Sequence, residues 1–489
     1  MKKTLSVVYM GMFLQRLSKC LLSCLFFAYL FFVNSPLEVW GESLTPIKVI
    51  ESALAHHPAI KAQLASRDNI AGDLLSSQGA FDPAIVGKDF SYLTGGYSGA
   101  SSELGFEKPL QLYGSRFFAG YRRSGGKFPV YDGDYLTNSN GEISFGVEVP
   151  LLRNREIDER RAKILENEAK VVGAEVIIEQ ERIEVARDAL QAYWTWVAAG
   201  ERYGVYRALV TVAEERTEQL NVQAQLGDVA NILVTDNQRA LLKRQAELLK
   251  ANEALQRSRL QLSLYLFSND GIPIIPDDSE LPKTLPPVMV RDYGEPEPKV
   301  DQALLMRPEL RSIKQKLEMV SARQRLANNQ LLPELNAVLT TSNDYGNGSG
   351  GSDTSRGEAE VKGGIQVKIP LYMRKARGMV QSADAQEREL NALRTLYTQK
   401  IDRDVRKSLI ALTVVGQRID VARNEVKAAK ELEKGERIKF SQGDSNLIFV
   451  NLREQTTADA EISLIDAILD FHVYRAELDA TMGKVPQPD

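Results

Sequence analysis

Two stretches of the chain, 151–226 and 371–442, contain no proline and are dense in Ala, Leu, Glu, Arg, Lys and Gln. These residue types lose least on entering a helix. A helix of roughly 70 residues would be on the order of 100 Å long. Such a helix needs partners along its length, which means a coiled coil or a helical tube rather than an ordinary globular packing. Each stretch follows a Pro-Leu step, Pro150-Leu151 or Pro370-Leu371, and each runs into a glycine, Gly227 or Gly443. Glycine relieves the strain of a tight reversal, so a return helix is expected after each turn, over about 228–267 and 444–482. Leu241, Leu248, Leu255 and Leu262 form a heptad ladder on the first return helix. Ile462, Ile465, Leu469 and Val473 mark an apolar stripe on the second.

The paired stretches belong to a wider duplication. Ala53-Leu54-Ala55-His56-His57-Pro58-Ala59-Ile60 is similar to Ala303-Leu304-Leu305-Met306-Arg307-Pro308-Glu309-Leu310. Pro83 pairs with Pro333 at the same offset, Val147–Leu151 with Val367–Leu371, and Gln225–Asp228 with Ser441–Asp444. Landmarks recurring in one order define two repeats, 42–270 and 300–484. Between them, 271–299 is a linker holding Pro273, Pro276, Pro282, Pro286, Pro287, Pro296 and Pro298, a density that favours extended chain. Residues 485–489 form a short tail.

Strands are expected between the short opening helices and the long ones, over about 84–149 and 334–369. Ile143, Phe145, Val147 and Val149 alternate with Ser144, Gly146 and Glu148. Val361, Ile365, Val367 and Ile369 alternate with Lys362, Gly364, Gln366 and Lys368. Period-two alternation gives one apolar and one polar face, which fits a soluble sheet with one wet face as well as a transmembrane strand. The first repeat has the longer strand region. Phe106 to Arg123 is either an additional strand or a folded external loop.

Lys2, Lys3, Arg16 and Lys19 precede an apolar run from Cys20 to Val33, which is short for a membrane span and suited to a signal peptide. Cleavage is expected near Gly41. Removing residues 1–41 takes away four positive charges and one negative from a formal net of −4 and leaves −7. That balance disfavours nucleic acid as a partner. Cys20 and Cys24 are the only cysteines and both fall in the signal, so neither disulfides nor thiol chemistry belong to the mature chain. No later stretch is apolar for the roughly 20 residues of a spanning helix.

No catalytic constellation stands out. Histidine occurs at 56, 57 and 472 alone, and adjacent His56 and His57 face different sides of a helix, a poor arrangement for a metal. Gly120 to Lys127 is phosphate-loop-like, but its first glycine is misplaced and Phe128 stands where Ser or Thr is required. No enzyme, cofactor or metal is expected.

The doubled halves, the Pro-Leu steps and the glycine reversals resemble the TolC-like outer-membrane efflux proteins. Phe440-Ser441-Gln442-Gly443-Asp444-Ser445-Asn446-Leu447 and Asn451-Leu452-Arg453-Glu454-Gln455 are similar to that family's second helical turn. The resemblance implies a mixed α and β fold, mainly of long α-helices. A periplasmic α-helical barrel would carry a transmembrane β-barrel shared between subunits, each chain giving four strands to a twelve-stranded wall. It also implies a homotrimer in the outer membrane of a Gram-negative bacterium, in contact with outer-membrane lipid. Its partners would be a periplasmic adaptor protein and an inner-membrane transporter. The function implied is a passive exit duct for tripartite efflux or type I secretion. Strand arithmetic agrees: four or five strands cannot close a membrane barrel, for which about eight is the minimum, and an open edge in lipid leaves backbone groups unsatisfied. The alternative is a periplasmic coiled-coil scaffold without a channel.

By the same resemblance Gly227, Asp228, Gly443 and Asp444 lie at the periplasmic tip and contact the adaptor. Asp228 and Asp444 read either as helix N-caps or as carboxylate rings at a cation-favouring entrance. Some members carry pore aspartates further into the last helix, where Phe449 and Leu452 stand here. Asn451 and Glu454 are the candidate pore-lining residues instead.

Overall fold

The computed structural model describes residues 43–289, 292–348 and 358–488, without the side chains of 133 and 134. The signal segment 1–41 and its cleavage near Gly41 lie outside the described residues. The described chain forms two compact units. One joins the residues up to Leu44 with Pro276–Pro282, where the Leu44 N–H donates to the Glu280 carbonyl at 2.9 Å. Asp277 and Glu280 close a capping box there. The other unit, Thr45–Ile275 with Lys283–Asp489, holds everything that follows.

The duplication reaches the elements. The first repeat runs α1 (Pro46–His56), α2 (Pro58–Gln78), β1 (Ala84–Ser91), β2 (Ala100–Pro109), β3 (Arg116–Gly125), β4 (Glu142–Pro150), α3 (Glu159–Leu226) and α4 (Asn231–Leu262). The second runs α5 (Glu297–Met306), α6 (Pro308–Asn329), β5 (Glu334–Asp344), β6 (Glu360–Lys368), α7 (Arg374–Ser441) and α8 (Leu447–Thr481). Both long helices, α3 and α7, have 68 residues. Pro58 and Pro308 take the first helical position of α2 and α6, and the residue before each is extended, as a following proline demands.

The long helices start later than the Pro-Leu steps suggest. Residues 151–158 make a turn in which the Leu151 N–H donates to the Leu335 carbonyl at 2.7 Å and the Asn154 N–H to Asn329 Oδ1 at 2.7 Å. Asp158 then caps α3 by accepting the Arg161 N–H at 2.9 Å. Those cross-repeat bonds hold 151–158 in the turn, and the helix begins only where Asp158 caps it.

α3 packs on α4, α7 on α8, and α3 also on α8, while α6 bridges α3 and α7. The heptad ladder supplies the α3–α4 seam: Leu241, Leu255 and Leu262 are buried, and Val210, Ala213 and Leu241 form one cluster with Leu248. Ile401, Val405, Leu412, Val415 and Ile419 of α7 meet Phe471 and Leu478 of α8 in the principal core of the second repeat. Their three-to-four spacing is the apolar stripe of a helix that buries one face.

Among the described residues six strands form one antiparallel sheet in chain order, β1-β2-β3-β4-β5-β6. The four strands per chain implied by the resemblance become six, because Phe106–Arg123 enters the sheet. β1 follows Pro83 as β5 follows Pro333, and β4 ends at Pro150 as β6 ends just before Pro370. So β1 and β4 are the counterparts of β5 and β6, and β2–β3 is a hairpin inserted between them.

Directly opposed residues in an antiparallel sheet share a face. The register therefore sorts the sheet into two surfaces. One row reads Ile85, Phe106, Ala119, Phe145, Thr341, Val361, and rows beside it carry Leu104, Tyr121, Ile143 and Phe117, Val147, Leu339. Across the pleat a row reads Lys88, Glu103, Arg122, Glu142, Asp344, and others carry Glu107, Thr340, Lys362 and Arg116, Glu148. Among the described residues the apolar surface stands open: Ile85, Val361 and Ile365 are 77%, 70% and 68% exposed. Among the described residues no helix is long and apolar enough to cross a membrane.

Candidate functional site

The two helical reversals are built alike. Gly227 and Gly443 adopt φ of 83° and 82°, the left-handed region that glycine enters without penalty. The Gly227 N–H donates to the Ala224 carbonyl at 3.1 Å and the Asp228 N–H to the Gln223 carbonyl at 2.9 Å. Gly443 repeats this with Phe440 at 3.1 Å and Asp444 with Lys439 at 2.9 Å. Both are Schellman caps, which satisfy the last carbonyls of a helix. A Cβ at either glycine would meet nothing within 4 Å, so the backbone angle alone imposes the residue.

Asp228 and Asp444 thus serve their turns through backbone N–H groups, and both residues are exposed. Neither caps the return helix. Ala230 holds that position before α4, and Asn446 does so before α8, its side chain accepting the Phe449 N–H at 3.2 Å. Leu226, Ile232, Ile448 and Phe449 stand exposed around the reversals.

Asn451 and Glu454 come together about two turns into α8, and they draw in three arginines. Glu454 is 2% exposed. Its Oε2 accepts from Arg216 Nη1 at 3.0 Å and from Arg244 Nη2 at 3.0 Å, and its Oε1 pairs with Arg216 Nη2 and with Arg437 Nη2 at 2.9 Å. Asn451 Oδ1 accepts from Arg216 at 2.7 Å and from Arg244 at 3.4 Å. Arg244 also donates to the Leu209 carbonyl at 3.3 Å, and Arg437 pairs with Glu433 at 2.8 Å. Arg216 comes from α3, Arg244 from α4, Arg437 from α7, and the acceptors from α8. One carboxylate therefore ties all four long and return helices near their reversals.

Burial pushes the Glu454 carboxyl up, but the hydrogen bonds and charge of Arg216, with the charge of Arg244, outweigh it, and the group titrates below the ordinary carboxylate range. A carboxylate saturated by guanidinium donors is held ionised and neither takes a proton nor attacks as a nucleophile. The cluster's work is mechanical.

The histidines are occupied by packing. His57 stacks on Tyr265 at 5.6 Å between ring centroids and His472 on Trp194 at 4.3 Å. Burial lowers the His57 pKa against the opposing charges of Glu181 and Asp188. The arginines of the cluster went unremarked in the sequence, though one signal was present. Arg244 stands three residues after Leu241, at the alternate core position of the heptad, where a charge requires a buried partner.

An antiparallel sheet with one bare apolar face, mounted on paired long helical hairpins, is the fold of solved outer-membrane channels that join a helical barrel to a β-barrel. Residues 300–484, the second repeat, match the model of the Outer membrane efflux protein family. No curated protein sequence matches the chain. Solved structures match over most of its length. The open state of the MtrE outer membrane channel of Neisseria gonorrhoeae is 15% identical with a TM-score of 0.64, over 90% of this chain and 89% of that one. VceC of Vibrio cholerae is 13% identical at 0.64, over 90% and 96%, and the outer-membrane channel OprN is 14% identical at 0.63, over 90% and 89%. The family and these structural neighbours are outer-membrane channels, not enzymes.

Proposed function

We propose that this chain is the outer-membrane exit duct of a tripartite efflux or type I secretion system and works as a homotrimer. The bare apolar face carries this reading. Its strands are 8 to 11 residues long, close to the roughly 9–11 that span a membrane as a tilted strand. The sheet has two edges, β1 and β6, which lipid cannot tolerate open. Neighbouring copies that pair β6 with β1 would remove both. The polar face, with its charged rows, would line a water-filled lumen.

The long hairpins would extend from that wall into the periplasm and end at the Gly227 and Gly443 reversals. Exposed Leu226, Ile232, Ile448 and Phe449 supply apolar contacts there for a periplasmic adaptor, with Asp228 and Asp444 as charged neighbours. The Glu454 cluster would hold each protomer's helices together near the entrance, with Asn451 and Glu454 fixed beneath the pore surface. An inner-membrane transporter would select the cargo, and the duct would pass it passively.

Membrane fractionation followed by light-scattering mass determination of the detergent-extracted complex tests the reading. An outer-membrane species of three chains is the expected result. A monomer released by carbonate would overturn it and favour a periplasmic coiled-coil scaffold.

A further inference from the structure

We propose that the inserted hairpin β2–β3 is part of the membrane wall, so that three copies close a barrel of eighteen strands instead of twelve. The inference rests on the trimeric channel reading and deepens it. Barrel diameter grows roughly linearly with strand number, so the outer opening would be about half as wide again. Bulkier cargo could leave through it.

Four observations place the hairpin in the wall rather than outside it. The first is register. β1 pairs with β2 along all eight of its residues, from Ala84 opposite Glu107 to Ser91 opposite Ala100, and β3 pairs continuously with β4 from Arg116 opposite Glu148 to Arg122 opposite Glu142. The second is chemistry. Leu104, Phe106, Phe117, Ala119 and Tyr121 of the hairpin extend the apolar face, while Glu103, Glu107, Arg116 and Arg122 extend the polar one. A hairpin folded back as an external cap has no reason to keep this division in step with its neighbours.

The third is complementarity on the older strand. The Phe118 ring of β3 fills the place where a side chain at Gly146 of β4 would begin: a Cβ there would lie 2.2 Å from the ring. Arg116 reaches Glu148 at 2.8 Å, and Arg122 pairs with Glu142. The fourth is the turn joining β2 to β3. Gly114, at φ 64°, sits so close to the head of α3 that a Cβ would come within 2.5 Å of the Asn154 carbonyl oxygen and 2.9 Å of the Asp158 carboxylate. Arg155 lies over the Tyr113 ring at 5.3 Å. The hairpin is thereby anchored at the strand-to-helix junction.

Closure survives the insertion. Two added strands leave β1 and β4 running in opposite directions, as they would if paired directly, so β6 of one copy still meets β1 of the next in antiparallel sense. An insertion of one strand would have broken that match.

Cys20 and Cys24 are the only cysteines, so with both replaced by Ser single cysteines can be labelled without interference. Phe106→Cys, Phe145→Cys and Val361→Cys, each carrying a fluorophore in the reconstituted full chain, should be quenched to the same extent by nitroxide-bearing phospholipids. Quenching at 145 and 361 without quenching at 106 would overturn the eighteen-stranded wall and leave the channel intact. No quenching at any of the three would sink the membrane barrel itself. Disulfide trapping gives an independent readout. Lys88→Cys should cross-link to Glu103→Cys, its opposite residue across β1–β2. Cross-linking of Lys88→Cys to Glu142→Cys in its place would mean that β1 pairs directly with β4 and the hairpin lies outside.

Discussion

Glu454 is the residue on which the reversal end of the helices depends. Its two most enclosed partners, Arg216 and Arg244, have side chains only 14% and 4% exposed. Removing one member of a buried ion pair strands the other, at a cost of about 3–5 kcal/mol. Glu454→Gln should therefore destabilise the chain by about that amount in urea unfolding, whereas Asn451→Ala, which loses a neutral acceptor for charged donors, should cost about 1.5–3 kcal/mol. The pH dependence has a definite sign. The folded carboxyl lies below its ordinary value, so its stabilisation is fully present above the unfolded pKa of about 4.3 and is lost as pH falls through the folded pKa. The gap between wild type and Glu454→Gln should stay constant from neutral pH to about 5 and shrink only below about 4. A gap that closes near pH 6 would show that Glu454 is not held ionised by its arginines.

The turns add a second residue-scale expectation. Gly227→Ala and Gly443→Ala should each cost about 1–2 kcal/mol by forcing a Cβ into the left-handed region. Asn446→Ala should cost about 1 kcal/mol through the lost cap, and Asp444→Asn close to nothing. A larger loss for Asp444→Asn than for Asn446→Ala in thermal melts would reverse that assignment. The glycines were legible because only a reversal needs them at that spacing. The cap was not, because Asp444, Ser445 and Asn446 are all good capping types in a row, and backbone angles decide which one takes the position.

At the scale of elements, the long helices were readable from the lack of proline and the first return helix from the heptad ladder, which depend on local chemistry. Leu255, buried in the α3–α4 seam, illustrates how direct that link is. Leu255→Ala should lower stability by about 2–5 kcal/mol, measured by denaturant titration, against a small change for exposed Leu249→Ala. The helix starts were less readable, since the turn at 151–158 is held by Leu335 and Asn329 of the other repeat. The strand number was hidden for a related reason. Phe117-Phe118 breaks the alternation of β3, and Phe118 is tolerated on the polar face because Gly146 opposite leaves room for its ring. Gly114→Ala should cost about 1–3 kcal/mol, since the nearest obstacle is a backbone oxygen that cannot step aside. A neutral outcome in thermal melts would mean that the β2–β3 turn is not seated on the head of α3.

For the whole molecule, the decisive matter is which solvent meets the apolar face. Exposure in the isolated chain does not decide it, because a soluble sheet and a lipid-facing wall both leave Ile365 open. Charge does. In a bilayer an arginine near the midplane of a barrel's outer face costs about 2–4 kcal/mol, while a charge on the lumen side meets water. Ile365 and Gln366 are neighbours on β6 and point to opposite faces. Ile365→Arg should therefore weaken the reconstituted protein by about 2–4 kcal/mol in urea titrations from lipid vesicles, and Gln366→Arg by much less. In water the asymmetry disappears, since Ile365 is already 68% exposed and an arginine there would be solvated as freely as one at 366. Equal tolerance of the two substitutions in vesicles would mean that no acyl chain reaches β6, and the wall would have to be a soluble sheet.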